Sequence, residues 1–446
     1  MSFDKSKFKI FGNITTKQLY IVSQEESFEL GEYFILENKN ESTPLEVIEA
    51  FEVPMCISGM LPIDVPNEYL KFLELDILKS ANFARVKILN HIQKPIHSGE
   101  VRRASFEELE KLLINHDNIN ESFVLGTIQG TSSVYDLMPE KYKGIAPIFN
   151  GKEMVKQDGV PFLVNPSKQM EYPHSGYFGG SGSGKSYALK VSCEELMKRR
   201  IPAILLDPHH EMEFKDNLSE KGIDYKNRNE VFVIGTDIGI KFTKLTSSEL
   251  IRLCDFSDPL SEPQKATFEA IYEKGMTAST LTSRINSLRE IVEMHENSTI
   301  NQFDDYKKDL DVETILLYEK VKQKVSSSKA IQALSWKINK LLNSSIFSDS
   351  GTKKIESCIL QSKLAIIRGD IKRMQMISSY VINKLYQKRR MYQDSITKNQ
   401  GENIPYFPMF YIIMDEAHNF APNNNDAGMN PTKQILKTVA QEARKY

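Results

Sequence analysis

A glycine-rich segment, GGSGSGKS at 179–186, constrains the fold of this chain more than any other part of its sequence. It fits the pattern G-x-x-x-x-G-K-[ST], and it stands between a predicted strand ending near Phe178 and a predicted helix at 185–200. The glycines allow backbone N–H groups to converge on phosphate oxygens, and a helix N-terminus adds partial positive charge. Lys185 is expected to reach the β and γ phosphates, and the Ser186 hydroxyl to bind Mg²⁺. The segment therefore predicts a triphosphate site.

A second apolar segment, YIIM at 411–414, is followed directly by Asp415 and Glu416. This pattern is typical of a buried parallel strand that delivers acids to the carboxyl edge of a sheet. Asp415 is expected to hold the Mg²⁺ water shell, and Glu416 to polarise the attacking water as a general base.

A third apolar segment, AILL at 203–206, leads into Asp207, with Glu211 four residues later. Both acids are expected to face the nucleotide, because parallel strands place their carboxyl ends along one crevice. The adjacent His209 and His210 suggest a metal site only weakly, since neighbouring side chains rarely converge on one ion and no third ligand is evident.

The chain divides by pattern into five predicted parts. Short apolar runs broken by turn residues at 1–105 predict a small β-barrel or sandwich. A connecting segment at 106–170 begins with a helix after a Ser105-x-x-Glu108 capping box, with Leu109, Leu112 and Leu113 on one face. Strands and helices then alternate, which predicts a parallel α/β core in two parts, 171–245 and 347–446. A helical insertion is predicted between them, at 246–346.

Global charge gives no information about a polyanionic partner. Lys and Arg total 57 and Asp and Glu total 59, for a formal net charge of −2, so DNA would have to be held by a local patch. One candidate patch is a basic segment, and the other interpretation of its cations is that they complement the dipole at a helix C-terminus. The segment comprises Lys363, Arg368, Lys372, Arg373, Lys384, Lys388, Arg389 and Arg390.

Other features place the protein in the cytoplasm. The longest nearly unbroken apolar run, 406–414, is about half of the length that a membrane helix requires. The N-terminus has no apolar region followed by a cleavage site. The four cysteines, Cys56, Cys193, Cys254 and Cys358, lie far apart without CxxC spacing, which argues against a zinc ribbon and a disulfide framework.

Four features in order resemble the HerA family of hexameric DNA translocases, relatives of FtsK. They are the predicted barrel, the glycine loop preceded by Tyr172-Pro173-His174, the strand ILLDPHHE, and IIMDEAHNFAP followed by EARKY. The resemblance implies an α/β P-loop NTPase core of the RecA-like (ASCE) class after an N-terminal HAS-barrel-like domain. It implies that ATP and Mg²⁺ are bound and that Arg444 acts in trans across a ring interface. The implied site comprises Gly179, Gly180, Ser181, Gly182, Ser183, Gly184, Lys185, Ser186, Tyr187, Asp207, Glu211, Asp415, Glu416 and Arg444.

The same resemblance implies partners. They are double-stranded DNA threaded through a homohexamer, and a nuclease, a NAD-consuming enzyme or another effector docked on the barrel. The expected role is DNA end processing or defence against phage.

Two departures from the family pattern stand out. The family usually has glycine where His210 stands, so the turn after Asp207 is expected to differ in backbone shape. The chain also stops at Tyr446, before a strand that in related cores lies between the glycine-loop strand and the Asp415 strand. We therefore expect a partial chain whose sheet has a central gap, unless another chain fills it.

Three other interpretations remain open. The ring could act mainly as a nucleotide-switched scaffold that assembles an effector without moving on DNA. The tetrapeptide Asp415-Glu-Ala-His418 suggests a DEAH-type helicase, although the remaining helicase motifs are not evident. A secretion or conjugation ATPase is a third possibility, without a visible membrane anchor.

Overall fold

The computed structural model describes residues 7–12, 14–38, 41–54, 61, 67–76, 78–96, 98–114, 118–149, 153–166, 174–214, 225–325, 327–397, 404–423, 430–442 and 445. The chain forms two compact units, Met1–Gln169 and Met170–Tyr446. Within the described part of the chain, no helix is both long and apolar enough to cross a membrane.

The first unit is built on a six-stranded antiparallel sheet. Its strands are β1 (Lys9–Phe11), β2 (Gln18–Ser23), β3 (Tyr33–Asn38), β4 (Glu41–Pro54), β5 (Ser80–Ile88) and β6 (Glu100–Arg103), with the short helix α1 (Asn67–Phe72) before β5. The order across the sheet is β1-β2-β5-β4-β3-β6. The sheet curls into a half-barrel, and its edges approach at a single antiparallel bridge between Phe8 and Val101. The β-rich N-terminal unit is thus confirmed, but as a curled sheet instead of the predicted full barrel.

Alternation of apolar residues explains the curl. Leu19, Ile21, Phe34, Leu45 and Val86 are buried on one face and pack into one apolar cluster. A separate cluster, around Phe11, Val22, Val53, Leu70 and Phe83, covers part of the opposite face. Successive side chains of a strand point to opposite faces, so both clusters draw on the same strands.

The remainder of this unit packs beside the sheet. Helix α2 (Phe106–Leu113) begins after Ser105, whose N–H donates to Oε2 of Glu108 at 2.9 Å. Its predicted apolar face is correct for Leu109 and Leu113, but Leu112 is 40% exposed because it lies off the buried stripe. Strands β7 (Phe123–Thr127) and β10 (Pro161–Val164) form one antiparallel pair, and β8 (Ile148–Phe149) and β9 (Met154–Val155) form another.

Arg103 ties the end of β6 to the rest of the half-barrel. Its Nε donates to Oε1 of Glu32 at 2.6 Å, and the Glu32 side chain is only 4% exposed. A second ion pair joins Arg103 to Glu26, and the guanidinium lies 5.5 Å from the ring centroid of Phe8. The contact therefore spans residues near β1 and β3 from the last strand of the sheet.

Arg103→Met is expected to destabilise this edge by about 2 kcal/mol or more, because it leaves the Glu32 carboxylate buried without its cation. The matched variant Arg102→Met removes two partly exposed ion pairs, with Glu37 and Glu108, each of which should contribute about 0–1 kcal/mol. Hydrogen exchange at the β1 and β6 amides of the full chain measures the loss of stability in both variants. Equal losses of protection in the two variants would contradict this role for Arg103.

The second unit contains a four-stranded, fully parallel sheet. Its strands are β11 (Ala203–Leu206), β12 (Asn229–Val233), β13 (Leu364–Arg368) and β14 (Tyr411–Met414), in the order β12-β13-β11-β14. The accompanying helices are α3 (Lys185–Lys198), α10 (Lys353–Leu360), α11 (Ile371–Thr397) and α12 (Pro431–Glu442). Every residue of β11 is buried, whereas the residues of β14 are half-buried. This agrees with the positions of the two strands in the sheet, β11 inside it and β14 at its edge.

The predicted strand before the glycine loop is wrong. Residues 174–180 have no regular secondary structure, and β14 has no strand on its outer side among the residues described. A β-strand exists only where a neighbour pairs with its backbone, and no described strand pairs with 174–180. The four described strands pair with one another without interruption, and the gap expected between the glycine-loop strand and β14 stays a prediction.

Seven α-helices of the described chain lie between β12 and β13: α10, given above, and the six that precede it, α4 (Ser247–Ser257), α5 (Glu262–Ile271), α6 (Ala278–Asn297), α7 (Ile300–Lys308), α8 (Val312–Val321) and α9 (Ser328–Leu342). Ser, Thr and Asp residues cap their N-termini, as at Thr246 and Asp311. The buried stripes of α6 and α9 belong to the same apolar cluster as Ile204 and Leu206 of β11. The helices therefore share one core with the parallel sheet.

Candidate functional site

The glycine loop at 179–186 opens helix α3. Gly182 and Gly184 adopt positive φ angles of 74° and 88°, in the left-handed region where a side chain would be strained. Lys185, the first residue of α3, donates from Nζ to the carbonyl of Gly180 at 2.8 Å. The backbone from 179 to 184 is exposed. The loop thus exposes its backbone around a lysine at a helix N-terminus.

Some of the residues that flank the loop contact neighbouring helices, and others are exposed to solvent. The Tyr177 hydroxyl lies 2.6 Å from that of Ser192 on α3, and Nε2 of His174 lies 3.3 Å from the carbonyl oxygen of Ala440 on α12. Phe178 and Tyr187 are 95% and 78% exposed. Two aromatic rings therefore stand in solvent at the two ends of the loop.

Three neighbouring strand ends place charged residues side by side. In the parallel register, Leu206 of β11 lies opposite Ile367 of β13 and Met414 of β14. The residues that follow are Asp207, Arg368 and Asp415. The predicted meeting of acids at one sheet edge is therefore observed for Asp207 and Asp415.

Asp207 is fully buried and fully partnered. Its Oδ2 accepts from Nε of Arg368 at 2.9 Å, and its Oδ1 accepts from the N–H of Glu211 at 3.1 Å. Arg368 also donates from Nη2 to the carbonyl of Met212 at 2.9 Å. One ion pair thus joins β13 to the turn that follows β11. The Glu211 side chain is exposed, and its backbone N–H makes the contact to Asp207.

Asp415 differs from Asp207 in having no ion pair within the described residues. It is 8% exposed, and its Oδ1 accepts the N–H of Glu416 at 3.1 Å. Burial raises the pKa of Asp415 above its ordinary value, and the charges of Glu416 and Asp207 act in the same direction, whereas the hydrogen bond from the Glu416 N–H and the charge of His209 act in the opposite direction. A buried carboxylate beside other acids fits a divalent cation, and Mg²⁺ typically takes one or two carboxylates together with phosphates and water.

Glu416 adopts a strained backbone conformation. Its φ and ψ of 50° and 49° lie in the left-handed region, which costs a residue with a side chain about 1–2 kcal/mol. Its Oε2 lies 3.2 Å from Nδ1 of His418. Downstream, the fully buried Phe420 anchors the segment in the core. Such strain persists only where the surroundings hold it, and it is concentrated at functional sites.

Helix α3, which begins at the glycine loop, packs against strand β13 of the parallel sheet. Cys193 on α3 is buried, and burial followed by the charges of Glu194, Asp207 and Asp415 raises the pKa of its thiol. The helix that follows the glycine loop therefore packs on the sheet whose strand ends carry the acids.

The turn after Asp207 contains a left-handed residue at the position where the chain departs from the family pattern. His210 has a φ of 59°, a conformation that glycine adopts freely and histidine more readily than most residues. The expected difference in backbone shape from the family stays a prediction.

The sequence-based assignments of Arg444, Arg368 and His418 have different outcomes in the structure. Arg444 lies outside the described residues, as do Tyr172 and Pro173. Arg368 was assigned to the basic segment, although it stabilises Asp207. Its position at the end of an apolar strand, in register with Asp207, is the signal that could have identified it. His418 was noted only as part of a helicase-like tetrapeptide.

The basic segment at 363–390 is not a free cationic patch. Lys363 pairs with Glu230, Arg373 with Asp370, Lys384 and Lys388 with Glu356, and Arg390 with Glu442. The helix-dipole interpretation is also wrong, because α11 continues to Thr397, well beyond Arg390. Three of these cations, Lys384, Lys388 and Arg390, join α11 to α10 and α12.

Comparison with known families assigns the chain. The family model described as "Helicase HerA, central domain" matches residues 151–387, more than half of the chain. The chain belongs to this HerA family. The match includes the glycine loop, Asp207 and Arg368, and it ends before Asp415 and Glu416. A search of curated proteins gave no match. Membership of the HerA family identifies a P-loop ATPase of the HerA/FtsK type, in agreement with the parallel sheet and the glycine loop.

Arg368→Met is expected to destabilise this HerA-family unit by about 3–5 kcal/mol, because the Asp207 charge would remain buried without compensation. The control Arg373→Met removes an ion pair whose side chains are both largely exposed, and it should cost about 0–1 kcal/mol. Urea unfolding of the full chain, followed by the fluorescence of its single tryptophan, compares them. Partial rescue by the added change Asp207→Asn is expected, and similar costs for Arg368→Met and Arg373→Met would contradict the assignment.

Asp415→Asn is expected to stabilise the nucleotide-free chain at neutral pH. The raised pKa means that ionised Asp415 disfavours the folded state above the ordinary pKa of Asp, and asparagine removes this penalty while keeping an acceptor for Glu416. The gain should disappear as the pH falls below about 3.9, where the unfolded carboxyl is also protonated. Urea midpoints at several pH values test this, with the exposed Asp349→Asn as control. A less stable Asn variant at pH 7 would refute the predicted sign.

Proposed function

We propose that this chain is the subunit of a homohexameric ATPase that moves along double-stranded DNA and works with a nuclease or another effector. The observation that carries the proposal is that the glycine loop opens α3, which packs against the same parallel sheet whose strand ends carry Asp207 and Asp415. The HerA family match supports the ATPase part of the proposal. End processing and phage defence are the settings that the family resemblance favours.

The proposed roles follow from the chemistry of each group. Backbone N–H groups of the loop and the Nζ of Lys185 bind phosphate oxygens. The Ser186 hydroxyl and the Asp415 carboxylate would hold Mg²⁺, which neutralises phosphate charge when bound. The Glu416 carboxylate accepts a proton from the attacking water. Arg444 is proposed to reach the site of a neighbouring subunit.

His418 adds a positioning role. Its Nδ1, 3.2 Å from Oε2 of Glu416, restrains the carboxylate that is proposed to act as the base. The left-handed backbone at Glu416 fixes the direction of the same side chain. Both features reduce the number of conformations that the base can adopt before water is activated.

The paired state of the basic segment favours a second candidate function. Since Lys363, Lys384 and Lys388 are engaged in ion pairs, this segment offers little free charge to DNA. A ring that binds nucleotide and assembles an effector without translocation would need less free positive charge. The effector in either case is proposed to dock on the N-terminal half-barrel.

Glu416→Gln is expected to lower the kcat of DNA-stimulated ATP hydrolysis by about 100-fold or more while nucleotide binding persists, because only the base is lost. Lys185→Ala should weaken nucleotide binding itself, measured with a fluorescent ATP analogue. The matched controls Glu269→Gln and Lys244→Ala change exposed residues and should retain wild-type rates. Wild-type hydrolysis by Glu416→Gln would contradict the assigned role.

The same protein preparations distinguish a DNA translocase from a ring that serves only as a scaffold. A translocase displaces a third DNA strand from a duplex in an ATP-dependent manner, and Glu416→Gln should abolish this displacement. A scaffold would bind ATP and effector without displacing the strand. Absence of displacement by an active, DNA-stimulated wild-type ATPase would favour the scaffold.

A further inference from the structure

The stretch 320–348 has an unusual charge distribution. It contains six lysines and no aspartate or glutamate, in a chain whose acids and bases are otherwise nearly balanced. It also contains Trp336, the only tryptophan of the protein. Interleaved lysines and an aromatic residue are typical of surfaces that bind nucleic acid strands.

Helix α9 presents these residues on one side. Ile331, Leu334, Ile338 and Leu341 are buried and form its inner stripe. The opposite positions at helical spacing are exposed, and we call Lys324, Lys329, Gln332, Trp336 and Lys340 the α9 outer face. Lys324 belongs to the turn before the helix, and the other four lie on α9 itself.

Trp336 is the apolar centre of this face. Its side chain is 62% exposed, and Nζ of Lys340 lies 5.1 Å from the ring centroid. An exposed indole gains little from folding, because its apolar surface stays in water. The same flat surface can stack on a nucleic acid base, and the neighbouring ammonium group can contact a phosphate.

The lysines of the face are only partly neutralised. Lys340 lies 3.0 Å from Asp258, which also attracts Lys337 at 3.8 Å. Lys324 and Lys329 make no ion pair with any residue that the structure describes. The nearby Glu296 accepts hydrogen bonds from the N–H and the hydroxyl of Ser328, and its charge offsets part of that of Lys329 without a direct ion pair. Positive charge therefore remains on the surface.

The position of Lys329 is also unfavourable for the helix. It lies in the first turn of α9, where the helix dipole repels a cation by about 0.3–1 kcal/mol. Helix stability does not account for a lysine at this site. An external anion would offset the repulsion and would also complement the neighbouring Lys324.

We propose that the α9 outer face binds a single strand of nucleic acid, with phosphates on Lys324, Lys329 and Lys340 and a base stacked on Trp336. The rise from Lys329 to Lys340 is about 16 Å, which corresponds to about five phosphates of one strand at stacked spacing. A single strand is required because the bases of a duplex are stacked on each other and cannot accept an indole. This surface extends beyond the proposed duplex translocation and does not depend on the nucleotide site.

The single tryptophan makes the test direct. An oligothymidylate of about 12 nucleotides should quench the intrinsic fluorescence of the full chain, whereas a duplex of equal length should not. The affinity should fall with salt with a logarithmic slope of about −2, as expected for three phosphate contacts on a single strand. The Lys185→Ala background separates this binding from ATP-dependent events.

Variants then locate the surface by anisotropy of a labelled oligothymidylate. Lys329→Glu should weaken binding about tenfold or more, and Trp336→Ala about 5- to 100-fold, through lost charge and lost stacking respectively. Lys274→Glu, an equal charge change at another exposed position of the same helical region, should have little effect. If Lys329→Glu unfolds at the same temperature as the wild type, its weaker binding does not come from a folding defect.

Three outcomes would overturn the proposal. The first is binding that is unaffected by both variants. The second is equal quenching by duplex and single strand, which would indicate a charge effect without stacking. The third is equal quenching by an acidic peptide, which would assign the face to a protein partner.

Discussion

The ion pair between Arg368 and Asp207 is the interaction on which the carboxyl edge of the parallel sheet depends. The side chains are 17% and 0% exposed, so neither charge can be solvated adequately without the other. Because Arg368 also holds the carbonyl of Met212, the pair joins β13, β11 and the turn beyond β11 into one rigid edge. The turn carrying His209 and His210 is thereby fixed in position, and Asp415 lies beside it on β14.

Both buried aspartates at this edge directly follow an apolar strand, but the charges that surround them differ. Asp207 has its counter-charge within the chain, whereas the described surroundings of Asp415 leave it beside other carboxylates. An ionised acid kept in that position destabilises the fold. In the proposed ATPase, a cation that arrives with the nucleotide would compensate this charge, so the stability that Asp415 lacks in isolation would become binding energy in the complex. The strained backbone of Glu416 likewise costs stability in the free chain, and such strain is typical of functional sites.

Sequence reasoning predicted most of this architecture because the signals are local. A glycine loop before a helix and apolar runs ending in acids are visible in short windows, and the strands at 203–206 and 411–414 follow from them. The missing strand before the loop could not be foreseen, since strand formation depends on a distant partner. The roles of Arg368 and of the lysines of α11 were missed for a similar reason. Whether a cation is free or paired is decided by acids such as Asp207 and Glu356, which are far away in sequence.

The helical region between β12 and β13 is more than an appendage of the sheet. Its inner stripes share one continuous apolar cluster with β11 and β13, the strands whose ends carry Asp207 and Arg368. Close-packed cores transmit displacement because they contain few voids to absorb it. The α9 outer face lies on the opposite side of the same helix, so that surface and the strand ends carrying Asp207 and Arg368 are built on one close-packed core.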